Sequence, residues 1–133
     1  MVLGGVAAVL VGVGGGILAL SESGEVVVLE TAEPDGGARH TRLWVVDDGG
    51  HPWLRAGQPR SPWLANLRAR PQVSMTRGGK TERYRAVVVD DAAARARVNG
   101  LMARKYGLPD RIIGLLRDAE AVTPIRLDPA GGS

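Results

Sequence analysis

RSPWLANLRARP, residues 60–71, decides how the rest of the chain is to be read, because it sets one short helical segment among stretches that all look like strands. Trp63, Asn66, Leu67 and Arg70 recur at three- and four-residue intervals, which places them along one side of a helix. Ser61 stands at the N-cap and Pro62 at the first helical position, where a missing N–H costs nothing. Pro71 ends the helix, since a proline pushes its predecessor out of the helical region. A tryptophan, an asparagine and three arginines are gathered here, in a chain that has no phenylalanine at all.

On the N-terminal side of this helix the pattern is of strands joined by turns. EVVVLET, residues 25–31, is a β-branched run, and AEPDGGA after it supplies a preset φ and then a residue tolerant of positive φ. ARHTRLWVVDD alternates, with His40, Arg42, Trp44 and Val46 on one face and Arg39, Thr41, Leu43 and Val45 on the other. DDGG makes a hairpin turn into HPWLRAG, a third strand with Trp53, Arg55 and Gly57 on one side. Beyond Pro71, QVSMT begins a fourth strand and RGGK turns into TERYRAVVVDD, a fifth. The period then changes: Ala94, Val98, Leu101, Met102 and Lys105 form a helical stripe, capped by Asp90 or Asp91 and ended by Gly107. Pro109 opens a second short helix through Ile112, Ile113, Leu115 and Leu116, and AVTPIRLDP reads as a last strand. Antiparallel strands with so few helices predict a small β-barrel with helical decoration, because closing the sheet removes its exposed edges.

The composition narrows the function. With 133 residues the chain holds one compact domain, placed at 25–129 after a junction at 21–24 and before a frayed tail at 130–133. The absence of cysteine excludes disulfides, thiolate metal sites and cysteine nucleophiles, and two histidines on strand or turn segments predict no metal centre. The net charge of +3 comes from arginines scattered over most of the chain, so no nucleic-acid partner is expected. Residues 1–20 carry no charged side chain and match the length of about 20 apolar residues that crosses a bilayer. They predict an N-terminal membrane-anchor helix contacting lipid, its side undetermined; a signal segment, or a packed helix on a cytoplasmic protein, is the alternative. GVGGG within that run does not complete the GxGxxG of a dinucleotide loop.

TRLWVVDDGG, SPWLANLRARPQV, YRAVVV and ARKYGLPDRIIGLLRDAEAVTPIRLDP, in this order, resemble the split-barrel flavin/deazaflavin oxidoreductases, and among them the deazaflavin-dependent nitroreductase family most. The resemblance spans about residues 26–129 and is most specific at Pro62, Trp63, Asn66-Leu67, Arg68 and Pro71. It implies a mainly β (α+β) split barrel of about six strands, with a short inserted helix and two C-terminal helices after the apolar one. It also implies an oxidoreductase using the deazaflavin coenzyme F-420, or alternatively FMN, on a small or lipophilic electron acceptor such as a quinone or nitro compound. Carried over by position, Ala56, Gly57 and Gln58 would border the ring, Trp63 and Asn66 would form its wall, and Arg39, Thr41 and Arg42 lie in a strand used for cofactor contacts. A homodimer is expected by analogy. The family's lysine- and glycine-rich turn, which helps hold the cofactor's phosphate and acidic tail, is replaced here by EPDGGA, where Glu33 and Asp35 would repel an anion.

The residues themselves suit such chemistry, since a flavin-type ring carries the reaction and asks the protein only for orientation and exclusion of water. Arg39, Arg42, Arg55 and Arg60 are the candidates for pairing with phosphate. Tyr106 is either core or a pocket hydroxyl that would protonate a reduced product, while Trp44 and Trp53 are expected to pack. Two rival readings share the fold: a non-catalytic accessory subunit of a membrane complex, and an FMN- or haem-binding barrel.

Overall fold

The computed structural model describes residues 24–107 and 122–130, and its seven strands form one antiparallel sheet. They are β1 (Val26–Ala32), β2 (Ala38–Trp44), β3 (Val46–Asp48), β4 (His51–Ala56), β5 (Gln72–Arg77), β6 (Lys80–Val88) and β7 (Thr123–Pro129). Two helices are described, α1 (Pro62–Ala69) between β4 and β5, and α2 (Ala92–Tyr106) after β6. The expected helix over 109–116 and the apolar run over 1–20 lie outside the described residues. Among the described residues no helix is long and apolar enough to cross a membrane.

The sheet runs β2-β1-β5-β6-β7-β4-β3, and its two edge strands are consecutive pieces of one chain segment. The sequence reads ARHTRLWVVDD as a single strand. In the structure it bends at Val45: β2 pairs with β1, Val26 opposite Trp44, whereas β3 pairs with β4, Val46 opposite Trp53. Because this one segment pairs with one end of the sheet before Val45 and with the other end after it, it draws the sheet round into a barrel, and the change of partner explains why seven strands are seen where six are read. The bend also ends the strict alternation, since Trp44, Val45 and Val46 are all buried.

Period-two patterning supplies the interior. Val27 and Leu29 from β1, Val73 and Met75 from β5, Leu54 and Ala56 from β4, and Ile125 and Leu127 from β7 point inward, each at most 4% exposed. Helix α1 closes one end of this core with Trp63, Leu64 and Leu67. Ser61 takes the N-cap position without capping; its hydroxyl donates to the carbonyl of Gln58 (2.8 Å), in the turn that leads into the helix.

Outside the barrel, α2 lays Val98, Met102 and Tyr106 on Trp44 and Val46 as a second cluster. Asp91 caps it, its carboxylate accepting from the Ala94 N–H at 2.7 Å. The buried stripe is narrower than the periodicity suggests: Lys105 does not pack, and reaches back to Glu25 instead. The two glycine pairs Gly49-Gly50 and Gly78-Gly79 all have positive φ, as a two-residue type I′ hairpin needs, so DDGG and RGGK turn where expected. Gly24 is required for a second reason as well: a Cβ there would sit 3.0 Å from the Tyr106 ring.

Candidate active site at the helix end of the barrel

Helix α1 is set down at the end of β4, and Asn66 fixes where. Its side chain is 4% exposed, and its amide donates to the Thr31 hydroxyl (3.1 Å) and to the Glu33 carboxylate (2.6 Å). A buried amide has to find partners, and these two tie the helix to the last residues of β1 and to the turn that follows. One turn further along, Arg70 donates from Nε to the carbonyl of Ala32 (3.2 Å) and is thereby drawn off the solvent side. The β1–β2 turn is itself closed by a Glu33 N–H to Gly37 carbonyl bond of 2.8 Å and by the Asp35 carboxylate on the Gly37 N–H (2.8 Å).

Glu33 is the centre of this end. Besides Asn66 it is held by Arg39, with Nε 3.2 Å from Oε2 and Nη2 3.2 Å from Oε1, the two-pronged pairing that guanidinium and carboxylate geometry favours. The bond from Asn66, then that from Arg39, with the charge of Arg70 adding to them, hold the Glu33 carboxyl below the usual carboxylate range. The sequence shows Glu33 as a charge that would repel an anion, but its charge is matched locally. It could have been found from the hairpin: Ala32 pairs with Ala38, so Glu33 and Arg39 flank one cross-strand pair.

The structure divides the expected cofactor residues into four groups. Arg39 and Thr41 lie half-buried on the inner side of β2, and Arg39 shares Glu33 with Asn66. Gly57, Gln58 and Arg60 form the loop before α1, Gly57 half-buried and the other two exposed. Arg42 and Arg55 are on the opposite face of the sheet, Arg42 exposed and Arg55 8% exposed beneath α2, where it donates to the Asn99 side chain at 3.0 Å. Ala56 and Trp63, at 0% and 5% exposure, belong to the barrel core, so Gly57 and the backbone of Ala56 are what remain to border a ring.

Tyr106 is a structural tie rather than a pocket acid. It is 7% exposed and stacks on Trp44 with ring centroids 4.2 Å apart and planes 6° from parallel. Its hydroxyl donates to the carbonyl of Glu25 (2.7 Å), lies 3.0 Å from the carbonyl of Val45 and accepts from the Val45 N–H (3.1 Å). These are the backbone groups that the bend at Val45 takes out of both ladders. Burial pushes the phenol up to about 12, so it holds its proton at neutral pH.

That tie belongs to the opposite end of the barrel, which the sequence reading missed. There Arg77 grips Glu25 (2.8 and 3.1 Å) and Asp47 (2.9 and 2.7 Å), and Lys105 bridges Glu25 and the Val45 carbonyl at 2.7 Å each. Beside it is an open concavity of about 520 Å³ floored by Leu127, Pro52 and Pro129 and flanked by Tyr84 and Glu82, at the far end of β4 from Gly57. Among the described residues no cluster of histidine and carboxylate side chains could hold a metal ion.

With this geometry in hand, known proteins place the chain. Residues 7–110 match the model of the F420H(2)-dependent quinone reductase family, and the chain belongs to that family. It is therefore an oxidoreductase, and the deazaflavin coenzyme F-420 is its cofactor. The matched stretch begins inside the apolar run. Solved structures share the fold at low identity. A conserved hypothetical protein of Mycobacterium tuberculosis is 22% identical, with 90% of this chain and 82% of that one covered and a TM-score of 0.66. The haem storage protein HutZ of Vibrio cholerae is 18% identical over 86% and 87% of the two chains, at a TM-score of 0.62. A structure described as an F420-H2 dependent reductase is 20% identical over 77% of this chain and 93% of that one, at 0.60. A search of curated proteins finds no match.

The residues fit this cofactor at one end and not at the other. The ring needs small residues at a strand end, a requirement met by Gly57 after the buried Ala56. The β1–β2 turn has no open cation for an acidic tail, because Arg39 already holds Glu33.

Proposed function

We propose that this chain is a reductase of quinones or nitro compounds, taking a small, lipophilic acceptor at the helix end of the barrel. The match to the F420H(2)-dependent quinone reductase model over residues 7–110 carries this reading. The bound deazaflavin supplies a hydride; the chain supplies the wall. Asn66 seats α1 against β1 and the turn, so Gly57, Gln58 and Arg60 are presented in a fixed loop, and the core residues Trp63 and Ala56 keep water from behind it. The test is anaerobic mixing of the full-length protein with reduced deazaflavin and a water-soluble naphthoquinone, followed by the return of the oxidised cofactor's absorbance. Stoichiometric reoxidation dependent on protein is expected. Tight cofactor binding with no reoxidation by any quinone or nitroarene would leave an accessory, non-catalytic barrel as the better reading.

We further propose that residues 1–20 hold the protein at a lipid surface, where such acceptors concentrate, and that two copies associate. The uncharged run carries the first of these. Carbonate washing of membranes from expressing cells is expected to leave the full chain in the pellet and to release a chain starting at residue 24; complete release of both would end the anchor reading.

A further inference from the structure

Two groups bond the Glu33 carboxylate, the buried Asn66 amide at 2.6 Å and the Arg39 guanidinium at 3.2 Å through two nitrogens, and Arg70, anchored on the neighbouring Ala32 carbonyl, adds its charge without a bond of its own to it. Donors arranged in this way make an anion site. A guanidinium fork binds phosphate and carboxylate by the same paired N–H donors, and a buried amide held by the Thr31 hydroxyl is already oriented for an oxygen. Here the anion is the chain's own.

We propose that Glu33 is a built-in occupant of an anion cradle formed by Arg39, Asn66 and Arg70, and that it makes this protein indifferent to the acidic tail of its cofactor. The cradle rests on the geometry alone; its consequence for the tail rests on the deazaflavin reading above. An incoming phosphate would have to displace a carboxylate tethered within its own hairpin, whose effective concentration is that of a short intramolecular loop. It would also leave that carboxylate beside the phosphate, repelling it. Discrimination then falls to the ring, and a deazaflavin lacking phosphate and glutamates should bind as well as the complete coenzyme.

Glu33→Gln tests this, because glutamine keeps the shape and one acceptor oxygen for Asn66 while removing the charge. Two ligands give two arms. With inorganic pyrophosphate, which needs no ring site, thermal unfolding of the variant is expected to move upward in a saturable manner while the parent protein does not respond; adding Arg39→Gln to the variant should abolish the gain. With deazaflavins followed by fluorescence, the parent should bind the tail-bearing and tail-less forms within about threefold of each other, and Glu33→Gln should favour the tail-bearing form by about tenfold, or about 1.4 kcal/mol. Absence of pyrophosphate stabilisation in Glu33→Gln, or strong tail preference in the parent, would overturn the proposal. If neither deazaflavin binds to either protein, the functional reading fails, and the pyrophosphate arm still decides whether the cradle exists.

Discussion

The two ends of the barrel use the same chemistry, a carboxylate gripped by cations, for different ends. At the mouth, Glu25 and Asp47 share Arg77, Lys105 adds a third partner, and the network joins β1, β3, β5 and α2 around the backbone that bends at Val45. At the helix end, Glu33 is held by Arg39 from its own hairpin and by Asn66 of α1. Every element at the mouth needs the others to satisfy its polar groups. At the helix end the turn has its own Glu33 N–H to Gly37 carbonyl bond and Asn66 a second partner in Thr31, so neither depends on the Glu33 charge alone. The mouth is therefore where stability resides, and the helix end is where a charge can change without undoing the fold.

The largest effect expected from that contrast is at Tyr106. Replacing it by alanine removes a buried ring stacked on Trp44, and truncations of this kind cost about 3–5 kcal/mol. Set against about 5–15 kcal/mol for a whole domain, this would bring the protein close to unfolding at room temperature. Tyr106→Phe keeps the ring and loses only the hydroxyl that serves Glu25 and Val45, for about 1–3 kcal/mol. Because the folded phenol titrates at about 12, above its ordinary value near 10, its contribution is complete below pH of about 10 and is lost as pH rises toward 12. Urea unfolding of the parent and Tyr106→Phe at pH 8 and pH 11 is expected to show a gap that narrows at the higher pH. An equal gap at both would mean that the hydroxyl is not the group that titrates. Glu33→Gln, by contrast, keeps an acceptor for Asn66 and loses only a solvent-screened pairing with Arg39, so its urea midpoint at pH 8 should fall only slightly.

How much of this was legible in the sequence depends on how local each cause is. The strands, the DDGG and RGGK turns and the helix at Pro62 were readable, because alternation, glycine pairs and a proline at the first helical position act over a few neighbouring residues. The bend at Val45 was not, since nothing in TRLWVVDD marks the residue at which one strand changes partner; the reason lies in the hydroxyl of Tyr106, 61 residues away. At the helix end the residue types were visible in the sequence and their connections were not. Asn66 and Arg39 were singled out for a ligand, and the structure shows both engaged first by Glu33. Arg55 looked like a partner of Arg39 on paper, yet the alternation of β4 sends it to the other face, beneath α2. A charge is visible in sequence, whereas its counter-charge depends on register.

A smaller effect than that at Tyr106 sharpens the comparison from the acid side. Arg77→Met keeps an unbranched apolar stem at the barrel mouth and removes the bridge between Glu25 and Asp47. The Arg77 side chain is 29% exposed and that of Asp47 57%, so solvent screens the pair and the loss at pH 7 should be about 1 kcal/mol. Its pH dependence is the informative part. Hydrogen bonds from Arg77, aided at Glu25 by Lys105, lower both carboxyls in the folded state, from 4.5 for Glu25 and 3.8 for Asp47. A lowered folded value means a contribution fully present above the unfolded carboxylate range and lost as pH falls through the folded one. The parent should therefore lose stability below pH of about 4 more steeply than Arg77→Met, in which Asp47 has returned to its ordinary range and only Lys105 remains on Glu25. Urea midpoints at pH 7 and pH 3 should show the two proteins drawing together. If they stay equally far apart, Arg77 acts through the packing of its stem, and the mouth is held by Tyr106 and Lys105 without it.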